Sequence, residues 1–106
     1  MEIPRSFVIA GFRWKVKIVN GLKDEAGGKR EGMTDATNRT IELDKAVTGE
    51  DRVLTFWHEY THAVLYECGV SENTGGLSDI VEEIICDAMA NALTYNFRAK
   101  YSPQKK

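Results

Sequence analysis

The feature that most constrains this chain is a change of hydrophobic period partway along it. Phe12-Arg13-Trp14-Lys15-Val16-Lys17-Ile18-Val19 alternates apolar and basic residues, the period of a half-buried strand. From Val53 onward the apolar residues Val53, Phe56, Trp57, Tyr60 and Val64 return every three or four positions, the period of a helix. A chain that switches period once, within 106 residues, is expected to be one α+β domain spanning 1–106. The sheet should occupy about 6–43 and two helices about 48–99.

Local signals sharpen that outline. Ser6 to Gly11 is a short apolar run, and the pair of runs reads as a hairpin turning near Ala10-Gly11. Phe12, Trp14, Val16 and Ile18 should face the core, and Arg13, Lys15 and Lys17 the solvent. Asn20 to Gly32 lacks any period and reads as a mobile loop. Met33 to Asp35 and Thr40 to Leu43 read as short strands about a turn at Asn38-Arg39. Thr48 is a good cap for a helix of about 49–68, ended by Cys68-Gly69. A second helix of about 79–98 should start at Asp79, with Glu82 completing a capping box. Its expected apolar arc is Val81, Ile84, Ile85, Ala88, Met89, Ala92 and Leu93. The tail from Ser102 reads as polar and frayed.

Composition removes several function classes. There are 14 basic and 16 acidic residues, for a net charge of -2, so no basic field exists to hold nucleic acid. No apolar run is long enough to span a bilayer, and Met1 to Ala10 does not read as a signal peptide. The two cysteines, Cys68 and Cys86, fit reduced thiols in the cytoplasm.

Chemistry concentrates in His58-Glu59-Tyr60-Thr61-His62, inside the first expected helix. Both histidines of the chain fall here. Residues four apart share a helix face, so two imidazoles can reach one Zn2+ at about 2.0–2.1 Å. Glu59 projects beside the metal and can act as general base toward a water molecule activated there. A chance match in a chain of this length is on the order of a few in a thousand.

A third ligand is needed and no histidine remains. Glu83 carries Asp87 one turn on, which places a ligand carboxylate above an acid able to orient an imidazole from behind. Glu82 and Cys68 are the alternatives. Cys68 follows His62 by six residues, but Leu65 stands where an extended motif needs glycine to turn the chain back. Tyr60, Tyr66, Tyr95 and Tyr101 are candidate oxyanion donors by chemistry alone.

The segments His58-Glu59-Tyr60-Thr61-His62-Ala63-Val64-Leu65 and Glu83-Ile84-Ile85-Cys86-Asp87-Ala88-Met89-Ala90-Asn91-Ala92-Leu93 resemble the ImmA/IrrE group of small gluzincin metallopeptidases, often found in bacteriophages and mobile elements. The resemblance covers about residues 34–97. It implies a zincin-like minidomain, with a twisted antiparallel or mixed sheet, an active-site helix and a ligand helix. It also implies Zn2+, peptide-bond hydrolysis and a protein substrate, often a regulatory one. His58, His62 and Glu83 carry over as metal ligands, Glu59 as base and Asp87 as the acid behind a ligand. Substrate would add as a strand to an edge near Thr34–Leu43. The family's helix-turn-helix or sensor domain has no counterpart here, and Leu93-Thr94-Tyr95-Asn96 replaces its usual ending of the ligand helix. A non-cleaving interaction module with a structural or vestigial metal site is the alternative. A DNA-associated hydrolase of the SprT-like kind is disfavoured, because its third ligand is usually histidine.

Overall fold

A computed structural model describes residues 3–101, with side chains described through Asn96. The order is β1 (Ser6–Ile9), β2 (Phe12–Val19), β3 (Gly32–Asp35), β4 (Thr40–Asp44), α1 (Gly49–Glu67), a single 3-10 turn (Glu72–Thr74) and α2 (Asp79–Tyr101). The tail after Tyr101 lies outside the described residues.

The four strands form a mixed sheet in the order β1-β2-β4-β3. β1 and β2 pair antiparallel through a turn in which Ala10 and Gly11 both take positive φ, the twist a two-residue hairpin needs. β2 runs parallel to β4, and β3 returns antiparallel beside β4. The edge strands are β1 and β3. Thr40–Leu43 is interior, which narrows the expected substrate edge to Gly32–Asp35. The turn between β3 and β4 is held by the Asp35 carboxyl, which accepts from the Asn38 backbone N–H (3.2 Å) and side-chain amide (2.8 Å).

The loop expected to be mobile folds on itself. Asp24 accepts from the backbone N–H groups of Ala26 and Gly28, Arg30 N–H donates to Leu22 O, and Leu22 is buried. Glycine-rich composition hid these local bonds.

One sheet face packs on α1 through Ile9, Trp14, Ile41, Leu43, Phe56 and Ala63, with Phe7, Val16, Trp57, Tyr60 and Val64 around them. Of the four β2 residues expected inside, Trp14 and Val16 join this core. Phe12 and Ile18 lie near the strand ends and remain exposed. Arg39 stacks over the Phe12 ring at 3.9 Å.

α1 ends as its sequence requires. Gly69 takes φ +76°, its N–H donates to Tyr66 O and the Val70 N–H to Leu65 O, which is a Schellman closure. The start of α2 corrects an expectation. Ser78 is the cap, its hydroxyl oxygen 3.3 Å from the Val81 N–H, and Glu82 takes no part in a capping box. α2 packs against α1, giving the layers sheet, α1, α2. Its buried face carries Glu82, Cys86, Ala90 and Thr94. The expected apolar arc lies largely outside, with Val81, Ile84, Ala88, Met89 and Ala92 exposed. Among the described residues, no helix is long and apolar enough to cross a membrane.

Candidate metal centre

The helical run of α1 puts His58 and His62 on the face that meets α2, with ring centroids 5.0 Å apart. α2 answers with three acids. The two Glu83 oxygens lie 3.1 Å from His58 Nε2 and 2.9 Å from His62 Nε2. Ligand atoms at about 2.0–2.1 Å from a tetrahedral zinc stand roughly 3.3 Å from one another. The two imidazoles and Glu83 thus already sit near the edge lengths of such a site.

The outer ring nitrogens are also held. Asp87 Oδ1 is 2.8 Å from His58 Nδ1, and Glu82 Oε2 is 2.5 Å from His62 Nδ1. An imidazole whose Nδ1–H donates to a carboxylate presents a bare Nε2, the tautomer a metal needs. Asp87, expected as the acid behind a ligand, faces the outer nitrogen of His58. Glu82 serves the second histidine in the same way, a role the sequence reading missed. Its other oxygen accepts from the Glu72 backbone N–H at 2.6 Å, so the 3-10 turn anchors it. Its partners lie 10 and 20 residues away, and a local capping pattern masked them.

Glu59 is 5% exposed. Thr34 on β3 donates its hydroxyl to Glu59 Oε1 at 2.7 Å and lies 3.0 Å from the Glu59 backbone carbonyl. β3 approaches closely because residue 32 is glycine. A Cβ there would lie 2.6 Å from Thr55 Cγ2 and 3.0 Å from Glu59 Cγ. A cleft of about 440 Å³ opens along this seam, lined by Arg30, Gly32, Thr55, His58, Glu59 and Asp87 among others.

The cysteines divide differently from expectation. Cys68 is the exposed C-cap of α1 and does not join the cluster. Cys86 is fully buried behind the histidines, and its sulfur lies within 4.8 Å of a nitrogen of each. Burial, reinforced by Glu83, Glu82, Glu59 and Asp87, pushes its thiol up to about 12. The tyrosines do not line the cleft. Tyr60 and Tyr66 pack on the core, Tyr95 OH is 3.2 Å from Glu50, and the Tyr101 side chain lies outside the described residues.

No family model matches the chain, and no curated protein or solved structure matches it either.

Proposed function

We propose that this protein is a zinc metallopeptidase that hydrolyses peptide bonds of a protein substrate, with His58, His62 and Glu83 as metal ligands and Glu59 as general base. The observation that carries this reading is the paired arrangement around the histidines. Both Nε2 atoms converge on Glu83, while both outer nitrogens are backed by carboxylates. Three carboxyl groups, Glu82, Glu83 and Asp87, pair with two imidazoles, Glu59 lines the same cleft, and none of the four has a Lys or Arg within ion-pair distance among the described residues. A divalent cation balances that excess. The resemblance to ImmA/IrrE peptidases gives the same donor set.

Bound zinc would supply Lewis acidity toward the scissile carbonyl and the attacking water. Glu59 takes a proton from that water as the new C–O bond forms. It returns the proton to the leaving nitrogen as the C–N bond breaks, giving one carboxylic acid and one amine. Thr34 fixes Oε1 of Glu59 and so sets the direction of its second oxygen. Substrate lies in the cleft beside β3, whose free edge can accept it as an added strand. Free thiols at Cys68 and Cys86 suit a reducing compartment such as the cytoplasm.

The test joins zinc stoichiometry to cleavage profiling by mass spectrometry. Wild type should bind one zinc and cut; Glu59→Gln should bind one zinc and cut on the order of 10³-fold more slowly. Full activity in Glu59→Gln would end the hydrolase reading.

The position of Cys86 favours one other reading. Were its sulfur to advance, His58, His62, Glu83 and Cys86 would close the zinc with four protein donors, the pattern of a structural site in a non-cleaving interaction module. Cobalt substitution separates the two. A sulfur-to-cobalt charge-transfer band that vanishes in Cys86→Ser marks the closed site, and its absence the open one.

A further inference from the structure

We propose that Lys29 and Arg30 form a carboxylate-binding subsite at one end of the cleft, which takes an Asp or Glu side chain or the C-terminus of a substrate chain. This subsite rests on the peptidase reading and names a substrate class for the same cleft. Both residues line the cleft beside Gly32, His58 and Glu59. Among the described residues, neither side chain has a carboxylate within ion-pair distance or a hydrogen bond. Other arginines are spent inside the chain, Arg39 on Glu67 and Arg52 on the carbonyls of Val47 and Lys45. Glu31, Glu59 and Asp87 line the same cleft, yet none pairs with Lys29 or Arg30. Cationic groups that the chain leaves unpaired beside its reacting centre are open to an anion from outside.

The backbone puts this pair at the start of the substrate edge. The Asp44 N–H donates to Glu31 O at 2.8 Å, so Glu31, Met33 and Asp35 bond toward β4. Antiparallel alternation then leaves the N–H and C=O of Gly32 and Thr34 for an added strand. The free edge stops short of Arg30, whose own N–H donates to Leu22 O at 3.1 Å. Leu22 is buried and Lys23 bridges Lys29 antiparallel, so the segment is tied down where it carries the two cations. Thr34 bonds Glu59, and a Cβ on residue 32 would lie 3.0 Å from Glu59 Cγ, so the scissile bond belongs beside these two positions. Arg30 precedes Gly32 by two residues, about 7 Å of extended chain. A carboxylate held there belongs to a residue within about three of the scissile bond. At the other end of β3 stands an acid, Asp35, with its carboxyl engaged by Asn38. The subsite therefore acts on one side of the bond only.

A randomised decapeptide library, made with free and with amidated C-termini, tests this. Wild type digests the library, immobilised zinc-loaded Glu59→Gln captures from it, and mass spectrometry reads both. Asp or Glu should be enriched about tenfold, the combined effect of two exposed ion pairs, on one side of the cut and in the captured peptides. Where the terminal carboxylate is the source, cuts should fall within three residues of free C-termini, and cutting and capture should be lost on amidation. Lys29→Ala with Arg30→Ala should erase the preference, and Lys29→Glu with Arg30→Glu should turn it toward Lys and Arg. Both double variants should keep one zinc and the wild-type circular dichroism, because neither side chain is buried. Cuts without charge preference, or a preference that survives the double variants, overturn the subsite and leave the peptidase standing. Acidic peptides captured by Glu59→Gln, lost when Lys29 and Arg30 are also replaced, yet never cut by wild type, keep the subsite and end the peptidase reading. A library neither captured nor cut ends both.

Discussion

Two clusters of charge lie on α1, and they differ in whether their charges balance. At the helix end, Glu67 accepts from Trp14 Nε1 at 2.7 Å and from Arg39 Nε at 2.6 Å. One acid meets one base and one neutral donor, and the group is complete. Arg39 holds the Glu67 carboxyl below the usual carboxylate range, with Trp14 assisting, while Glu67 raises the Arg39 guanidinium. Two turns earlier, four carboxyl groups crowd two imidazoles. A cluster that closes within the chain fastens the fold, here α1 to the turn after β3 and to β2. One left with surplus acid is shaped for something from outside.

Substitutions can break that contrast at either end. The largest effect is expected in Glu83→Ala, which should lower zinc affinity more than 100-fold in a competition titration with a chromogenic chelator. Glu82→Ala and Asp87→Ala should lower it roughly 10- to 100-fold, because they orient ligands without touching the metal. An order in which Glu82 exceeds Glu83 would reassign the ligand. At the other cluster, Glu67→Gln should leave zinc affinity intact and cost about 2 kcal/mol in urea unfolding.

The same variant sharpens the comparison by pH. A carboxyl whose folded pKa is depressed stabilises fully above its unfolded value of about 4.3 and loses that contribution as pH falls through the folded value. Wild type should therefore lose more stability than Glu67→Gln between neutral pH and pH ~3. Parallel curves would show that the ion pair contributes nothing. The smallest effect is expected for Gly32→Ala, about 1–2 kcal/mol from the forced shift of Thr55 and Glu59. It should slow cleavage more than it weakens zinc binding, because it disturbs the base and not the ligands.

What the sequence disclosed follows from the range of the forces involved. The span of α1, its glycine stop and the facing histidines are set by neighbours within a few residues, and all are readable locally. The hairpin at Ala10-Gly11 is likewise local. Glu82 was not readable, because its partners are His62, 20 residues back, and the backbone of Glu72. The orientation of α2 was misread for a related reason. Hydropathy alone would turn Ile84 and Met89 inward, yet Glu83 and Asp87 meet the histidines, and these few polar bonds fix the rotation of the whole helix. Phe12 and Ile18 share the strand face of Trp14, but alternation does not reveal which positions of a face end up covered.

The tie from Glu72 N–H through Glu82 to His62 links a backbone amide to an imidazole across the gap between the helices. An ion seated on His62 would draw that chain taut, and the amide proton of Glu72 would trade with deuterium more slowly. A single peptide hydrogen, 10 residues before the acid it donates to, thereby becomes a clock for occupancy.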